Sequence, residues 1–269
     1  RALGGTCLLR GCIPTKFLLQ AASLQDDMKS SARYGLQVEG LSLHWNKTLE
    51  EKTKTVRRLS AAVSALMKKG KVEVFAGHGR LDGPHRVQVT RNEEGGVHTL
   101  DTRFVLIATG SVPKMLPFLK RDGKRIITSD EALELPAIPE SLIVIGSGAV
   151  GAEFASLYHS FGSRVVLIEA LPRLIPLEDA DLSAELEKSF RKRGLGVRTG
   201  ASVTSAEVTQ KGVQVNLTGP DGKPETLEAE ILLVAVGRGP FTDHLGLETT
   251  AIRIDSRGFI PGDPLMQTA

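Results

Sequence analysis

A glycine-rich turn between an apolar strand and an apolar helix is the feature that most restricts the fold of this chain. The sequence GSGAVG at positions 146–151 directly follows the apolar run 142–145 and opens the apolar stretch 149–161. Gly146 would allow the tight turn, Gly148 the close approach of the backbone to a pyrophosphate, and Gly151 the close packing of helix on strand. The pattern predicts a parallel βαβ unit that binds a dinucleotide with its phosphates at the helix N-terminus.

An acidic residue closes the next predicted strand. The run 165–169 ends in Glu169, 23 residues after Gly146, near the separation of about 20 residues at which such units carry a ribose-binding acid. A carboxylate there accepts hydrogen bonds from the ribose hydroxyls and repels a 2′-phosphate, so Glu169 favours NAD over NADP. Two alternatives stay open: Glu169 is a solvated charge at a strand end, or nearby Arg173 binds a phosphate.

The only two cysteines lie close together near the start of the chain, at Cys7 and Cys12. A regular helix would separate residues five apart by about 7.5 Å along its axis, beyond the roughly 4.4–6.8 Å Cα span of a disulfide. The backbone between them must therefore be irregular, which Gly11 permits. Cys12 then begins a helix beside Lys16, where helix dipole and ammonium both favour a thiolate. We expect a reversible disulfide; the alternative is a pair of buried structural cysteines.

Composition restricts the class of protein. At 269 residues the chain fits two domains better than one core. Its 34 basic and 31 acidic side chains are scattered, which gives no case for a nucleic-acid partner. No run approaches the roughly 18 apolar residues of a membrane span. Two cysteines are too few for a disulfide-rich secreted scaffold or a thiolate zinc site, so we expect a soluble protein without a metal.

Hydrophobic periodicity predicts an α/β chain that changes character near residue 121. Mixed helices and short strands come first, and a strand-helix-strand-helix pattern follows a linker rich in proline and lysine. The predicted helices cover 12–25, 45–69, 149–161 and 181–193. The predicted strands cover 72–76, 86–90, 97–101, 104–108, 142–145, 165–169, 196–198, 202–209, 213–218 and 231–235.

The cysteine segment carries a resemblance to a known family. Residues 4–16, GGTCLLRGCIPTK, match every fixed position of the redox-active signature GGTCxxxGCxPxK. The chain thereby resembles the class I pyridine nucleotide-disulfide oxidoreductases, which use FAD and a pyridine nucleotide. The resemblance implies that Cys7 is the thiol that exchanges with substrate, that Cys12 is the thiolate lying against the flavin, and that Lys16 lies close to the flavin N5. It also implies flavin contacts at Gly4, Gly5 and Thr6.

Further site residues follow from the same resemblance. It implies that Glu153, in GxGxxGxE, lies by the nicotinamide and pairs with Lys16, whereas the alternative is a surface helix glutamate. It implies flavin contacts at Gly79, Thr109 and Gly110. It implies nucleotide contacts at Val203, Ala235, Gly237 and Arg238, although an ordinary strand valine would also explain Val203. Gly239 departs from the proline that usually follows this arginine.

The resemblance also implies a fold and its division. We expect a partial Rossmann-like FAD/NAD(P)-binding two-domain fold: an incomplete FAD-binding domain with the cysteine pair at 1–121, an NAD-binding domain at 122–240, and a segment returning to the FAD domain at 241–269. The family's first FAD-binding turn and its interface domain, with a catalytic histidine, are expected to lie outside this sequence. We therefore expect the intact parent to be the enzyme and the chain alone to be inactive.

Within the family, the branch that oxidises dihydrolipoamide with NAD is favoured by the motif CIPTK, by Glu169 and by the run 171–176. The alternatives are enzymes similar to mercuric reductase or glutathione reductase, or an inactive module that only binds NAD. The expected partners are a small-molecule or lipoyl-domain disulfide, a second copy in a homodimer, and a 2-oxo acid dehydrogenase complex. The expected compartment is the cytoplasm, or the mitochondrial matrix in a eukaryote.

Overall fold

The computed structural model describes residues 2–91 and 96–268. The chain divides into two compact units. The first comprises Arg1–Gly5, Ser60–Val112 and Arg238–Ala269, and the second comprises Thr6–Leu59 and Pro113–Gly237. Within the described ranges, no helix combines the length and apolarity that crossing a membrane requires.

Helices come first in the chain, strand and helix alternate only over residues 126–198, and the remaining elements are mostly strands. The α-helices are α1 (Gly5–Arg10), α2 (Cys12–Lys29), α3 (Trp45–Lys69), α4 (Ser129–Ala132), α5 (Ala149–Ser160) and α6 (Ala180–Arg193). The strands are β1 (Gly77–Leu81), β2 (Arg86–Arg91), β3 (Val97–Asp101), β4 (Ser111–Pro113), β5 (Ile126–Ile127), β6 (Ser141–Ile145), β7 (Arg164–Ile168), β8 (Gly196–Arg198), β9 (Ser202–Val208), β10 (Val213–Thr218), β11 (Pro224–Ala229), β12 (Ile231–Val234) and β13 (Arg238–Pro240). Two 3-10 turns cover Ser31–Tyr34 and Leu247–Thr249.

A five-stranded parallel sheet organises the second unit. Its strand order is β5-β12-β6-β7-β8, and every neighbouring pair is parallel. The crossover from β6 to β7 runs through α5, and that from β7 to β8 runs through α6. An antiparallel sheet of order β11-β10-β9 completes the unit. This is the arrangement that the βαβ pattern predicts.

The central strands are apolar throughout because both faces of the sheet are covered. In β6, Leu142 and Val144 join one core cluster, whereas Ile143 and Ile145 join the other. Helices α2 and α5 contribute to the first cluster, and the antiparallel strand β10 contributes to the second. Alternate residues of one strand therefore serve two separate cores, which is why a parallel strand reads as a continuous hydrophobic run.

The helix that carries Cys12 belongs to the same core as the helix that follows the glycine turn. Helices α2 and α5 pack together, and Leu18 and Ala22 of α2 share one buried cluster with Phe154 and Tyr158 of α5. Polar contacts close one end of this pair, where Ser160 Oγ donates to the Asp26 carboxylate at 2.6 Å. The packing brings the helix that begins at Cys12 against the helix that follows the glycine turn.

The first unit is built on a three-stranded antiparallel sheet of order β1-β2-β3. Its buried apolar side chains are few, and they include Leu81, Val89 and Leu245. The backbone amide of Leu81 donates to the Leu245 carbonyl at 2.7 Å, which ties β1 to the C-terminal part of the unit. The unit therefore depends on contacts between its separate chain segments.

Two predicted strands are wrong. The runs 72–76 and 104–108 are strand-like in sequence, but neither is a strand, because no neighbouring described segment completes a ladder with them. Phe104 and Leu106 are 76% and 87% exposed, as expected for an extended segment without a covering layer. The helix 45–69 and the strands 97–101, 196–198 and 213–218 have the predicted bounds, and the remaining predicted elements shift by a few residues at their ends.

The division into units also differs from the expected boundaries. Residues 6–59 group with the five-stranded parallel sheet instead of with a block ending at residue 121, because α2 packs on α5. The segment Arg238–Pro240, inside the expected NAD-binding domain 122–240, forms strand β13 and groups with the first unit. Residues 92–95, inside the expected first domain, and the terminal residues 1 and 269 lie outside the described residues.

Candidate functional site

Gly11 separates the two helices that carry the cysteines. Helix α1 ends at Arg10, Gly11 has a non-helical backbone (φ −138°, ψ −117°), and Cys12 is the first residue of α2. A Cβ atom at Gly11 would lie 2.8 Å from the Thr6 carbonyl oxygen and 3.1 Å from the Cys7 Cα atom. The expected irregular backbone is thus present, and only a residue without a side chain allows this close approach.

Both cysteine side chains are exposed and carry free thiols. This excludes the alternative of two buried structural cysteines. A side-chain hydrogen bond between them raises the pKa of the Cys7 thiol, and partial loss of hydration and the charge of Cys12 raise it further, whereas a backbone hydrogen bond with Cys12 and the positive charge of Lys16 oppose the shift. In the dithiol form, Cys7 therefore keeps its proton more readily than an ordinary cysteine. The disulfide itself remains a prediction.

Lys16 lies one turn after Cys12 on α2 and forms an ion pair with Glu153 on α5. The Lys16 Nζ to Glu153 Oε1 distance is 2.5 Å, and the two side chains are 60% and 29% exposed. Because the pair bridges the packed helices, the geometry of the cysteine segment is coupled to the helix that begins at the glycine turn. Glu153 is thus not a free surface glutamate, although its place near a nicotinamide remains a prediction.

The glycine turn lies between β6 and α5, and two of its glycines are required by their surroundings. Gly146 has a left-handed backbone (φ +94°), and a Cβ atom there would lie 2.6 Å from the Ala235 carbonyl oxygen. A Cβ atom on Gly151 would lie 1.8 Å from the Gly146 carbonyl oxygen. Gly148 differs, because a Cβ atom there would meet nothing within 4 Å. The open space at Gly148 suits a ligand that approaches the backbone closely.

A cavity of about 710 Å³ lies beside this turn. The predicted nucleotide-binding residues on its wall are Gly146, Gly148, Glu169, Val203, Ala235 and Gly237. The further wall residues include Leu116, Ile175 and Leu177, which were not predicted because they lie in irregular segments whose sequence pattern gives no facing direction. The cavity is within the size range of small-molecule and cofactor sites, about 300–1,000 Å³.

Glu169 is buried and holds the turn. Its Oε2 accepts hydrogen bonds from the Ser147 amide and hydroxyl, both at 2.8 Å, and its Oε1 accepts one from the Leu171 amide at 2.9 Å. Glu169 is 8% exposed and Ser147 is fully buried. The alternative of a solvated strand-end charge is therefore wrong. The role of Ser147 was missed, since its position in the motif accepts many residue types.

Arg173, the alternative candidate that would bind a phosphate, makes hydrogen bonds within its own loop. Its guanidinium donates to the carbonyl oxygens of Pro176 at 3.0 Å and Glu178 at 3.1 Å. Of the two charged candidates, Glu169 lines the cavity by the turn. This arrangement favours the acid as the group that meets the ribose.

The residues expected to contact a flavin are distributed over both units. Within the first unit, Gly79 and Thr109 line one small cavity of about 160 Å³. The Thr109 hydroxyl donates to the Phe241 carbonyl at 2.6 Å, and Gly110 has a left-handed backbone (φ +81°). Gly4 and Gly5 also have positive φ angles, of 135° and 63°. Thr6 is the second residue of α1.

Arg238 occupies a different place from the other predicted nucleotide contacts. It lies in β13, and its guanidinium donates to the Ser111 hydroxyl at 2.8 Å and to the Ser111 carbonyl at 2.6 Å. It is not among the residues on the wall of the large cavity. Its nucleotide contact remains a prediction. Within residues 2–91 and 96–268, no cluster of three or more histidine, cysteine or acidic side chains is placed to hold a metal.

Comparisons with known proteins agree with this geometry. The pyridine nucleotide-disulphide oxidoreductase family matches residues 2–269. Dihydrolipoyl dehydrogenase from Bacillus subtilis strain 168 is 39% identical over 99% of this chain and 58% of its own length. The enzyme of the same name from Chlorobaculum parvum is 40% identical over the whole chain and 57% of its own length.

Two solved structures resemble the structure of this chain. LpdA from Mycobacterium tuberculosis superposes with a TM-score of 0.89 at 30% identity, over 99% of this chain and 57% of its own. The flavoprotein disulfide reductase RclA from Escherichia coli, solved as a Cu(II) complex, superposes with a TM-score of 0.82 at 25% identity. The match covers 99% of this chain and 56% of RclA. The chain thus spans somewhat more than half the length of these relatives. With its cysteine segment, its dinucleotide turn and its whole described length matched, the chain belongs to the pyridine nucleotide-disulphide oxidoreductase family.

Proposed function

We propose that this chain is the redox-disulfide and nucleotide-binding part of a flavin-dependent oxidoreductase that oxidises dihydrolipoamide with NAD. The observation that carries the proposal is the ion pair between Lys16 and Glu153, which joins the helix of the exposed thiols to the helix of the dinucleotide turn. Relatives named dihydrolipoyl dehydrogenase, about 40% identical over essentially the whole chain, support the choice of substrate.

The fit of the two cofactors follows from the residues present. For NAD, the open space at Gly148 would admit the pyrophosphate, and Glu169 at the cavity wall would meet the ribose. For FAD, a Cβ atom at Gly5 or at Gly110 would meet nothing within 4 Å, so the backbone there is open to a ligand. FAD supplies, when bound, a two-electron carrier between the cysteines and NAD.

The chain's own residues would act in sequence. In the oxidised enzyme, a thiolate of the dithiol substrate attacks the Cys7 sulfur and displaces Cys12 as a thiolate. The second substrate thiol then displaces Cys7, which takes up a proton because its pKa is raised. The substrate leaves as a disulfide, and Cys7 and Cys12 hold the two electrons. Lys16, which lies one turn after Cys12 on α2 and pairs with Glu153, would supply positive charge near the resulting Cys12 thiolate.

Steady-state assays of the full-length protein test the substrate. Dihydrolipoamide with NAD, glutathione disulfide with NADPH, and Hg(II) with NADPH are compared at equal enzyme concentration, together with the visible absorbance of bound flavin. We expect a yellow protein in which the first reaction dominates. Dominant turnover of glutathione disulfide or Hg(II) would contradict the proposed substrate. A colourless protein that binds only NADH would contradict the proposal that the protein is a flavoenzyme.

Glu169 is proposed to set the preference for NAD over NADP. The informative variant is Glu169→Gln, because it removes the charge while keeping the size of a side chain that also holds Ser147. We expect the kcat/KM ratio of NAD to NADP to fall severalfold. Glu169→Ala is the comparison, since it removes the contacts to the turn as well and should weaken both nucleotides. An unchanged ratio in both variants would place the discriminating group elsewhere.

Partners and compartment belong to the same proposal. We propose a homodimer that serves a 2-oxo acid dehydrogenase complex, in the cytoplasm or the mitochondrial matrix, because the relatives include a dihydrolipoyl dehydrogenase named as mitochondrial. Light scattering of the full-length protein measures the oligomer, and copurification with a lipoyl-bearing acyltransferase tests the complex. A monomer that recovers no such protein would contradict this assignment.

A further inference from the structure

Arg10 is the only charged residue between the two cysteines. It is the last residue of α1 and directly precedes the break at Gly11. Its Nη1 donates to Asp130 Oδ2 at 3.1 Å, across 120 positions of the sequence. The two side chains are 31% and 19% exposed, so this ion pair is less screened by water than the exposed pairs elsewhere on the surface. It fastens one end of the cysteine segment to α4.

Helix α4 is itself held firmly in place. Thr128 and Glu131 form a reciprocal capping box at its start, in which the Thr128 amide donates to Glu131 Oε2 at 2.9 Å. At its end, the Tyr158 hydroxyl donates to the Ala132 carbonyl, and burial raises the pKa of Tyr158, which keeps this donor protonated. These contacts hold the backbone of α4, which carries Asp130.

The Asp130 carboxylate depends on Arg10 for compensation. Its second oxygen, Oδ1, is buried and accepts no hydrogen bond within the part of the chain that the structure describes. A half-buried carboxylate with one unsatisfied oxygen is costly unless a cation stays beside it. The carboxylate thus favours conformations of α1 in which Arg10 remains in contact.

We propose that Arg10 and Asp130 are a positioning pair that holds α1 so that Cys7 stays beside Cys12, and thereby stabilises the disulfide relative to the dithiol. The inference rests on the proposed function, since it requires the disulfide to form. Closing a disulfide is favoured by a high effective concentration of one thiol at the other, which a tethered helix supplies. The positive charge that lowers the pKa of Cys7 belongs to Lys16, so Arg10 acts through the helix.

The dithiol-disulfide equilibrium of the full-length holoprotein tests the pair. The protein is equilibrated without oxygen in mixtures of reduced and oxidised dithiothreitol, quenched in acid, alkylated and analysed by peptide mass. Each reduced dithiothreitol gives up two electrons and two protons and becomes its cyclic disulfide, while the Cys7–Cys12 bond breaks to two thiols. We expect Arg10→Met to shift the equilibrium threefold to tenfold toward the dithiol, about 14 to 30 mV by the two-electron conversion. Arg10→Lys should shift it less.

Two further variants separate positioning from stability. Arg10→Met with Asp130→Leu removes the uncompensated carboxylate together with the tether, so thermal stability should recover while the redox shift stays equal to that of Arg10→Met. Arg121→Met is the matched control, because Arg121 pairs with Glu131 on the same helix but does not contact the cysteine segment. It should leave the equilibrium unchanged.

The outcomes are distinguishable. A protein without substitutions that forms no disulfide in the oxidised mixtures overturns the proposed function and this inference with it. A normal disulfide whose equilibrium is the same in Arg10→Met overturns the inference alone. A double variant that regains the original equilibrium, or a control that shifts as far as Arg10→Met, would show that general stability and not positioning governs the equilibrium.

Discussion

Replacing Gly151 with alanine should damage both stability and nucleotide binding, and the size of the effect follows from the geometry of the turn. The new Cβ atom would lie 1.8 Å from the Gly146 carbonyl oxygen, where real contacts stay above 3.0 Å, so helix and turn must separate by about 1.2 Å. The turn cannot yield easily. The Gly146 amide donates to the Ile168 carbonyl at 2.8 Å, and Glu169 holds the next residue, Ser147.

The obstacle is backbone, so no flexible side chain can move aside. Overpacking in a close-packed interior typically lowers the free energy of unfolding by about 1–3 kcal/mol. We expect the loss in Gly151→Ala to lie at the upper end of that range. Separation of turn and helix also displaces the amides that would face the pyrophosphate. A loss of about 1.4 kcal/mol corresponds to tenfold weaker binding, and NADH affinity should fall by at least that factor.

Gly148→Ala is the matched control in the same turn. Nothing lies within 4 Å of its Cβ position, and its backbone (φ −60°, ψ 177°) suits any residue. We expect its free energy of unfolding to lie within about 0.5 kcal/mol of that of the original protein. NADH binding should be weaker, because the methyl group enters the space proposed for the phosphates.

Urea unfolding followed by circular dichroism and NADH titration followed by fluorescence measure the two effects separately. If Gly151→Ala keeps the original stability and affinity, the packing argument is refuted. If Gly148→Ala binds NADH as tightly as the original protein, the phosphates do not lie where we place them.

Two further predictions concern the cysteine pair and a buried lysine. Cys12→Ala removes the hydrogen bond and the charge that raise the pKa of Cys7. The pH midpoint of Cys7 alkylation by iodoacetamide should therefore be lower in this variant than in the fully reduced original protein. An unchanged or higher midpoint would disprove the assigned cause. Lys52→Met leaves the Leu133 carbonyl without the donor that lies 2.6 Å away, and should lower the free energy of unfolding by about 1–3 kcal/mol. Glu134→Gln, which spares that bond, should cost less in the same denaturant titration, and a larger cost would contradict this explanation.

Local sequence patterns predicted the elements whose causes are local. The strand before Gly146, the break at Gly11 and the acid at Glu169 each follow from residues that are neighbours in sequence, and all three are present. The spacing of polar and apolar residues also predicted the full extent of α3 because its apolar stripe has a helical period throughout.

Elements that depend on distant partners were harder to predict. The segments around Val74 and Leu106 have strand-forming residues but pair with no strand among the described residues, and hydrogen bonding across a ladder is not encoded in the run itself. Strand β11 was missed because Leu227 is its only large apolar residue and the strand forms by pairing with β10. The hold of Glu169 on Ser147 likewise depends on where two separate segments meet.

The packing of α2 against α5 has a consequence for protein engineering. A chimaera that exchanges only residues 113–237 with a relative would place a foreign α5 against the native α2, and would have to recreate both the Lys16–Glu153 pair and the contact of Asp26 with Ser160. The exchangeable module is discontinuous, and it includes residues 6–59. Variants with altered nucleotide preference are therefore best built by exchanging residues 6–59 and 113–237 together, so that α2, which begins at Cys12, keeps the α5 helix on which it packs.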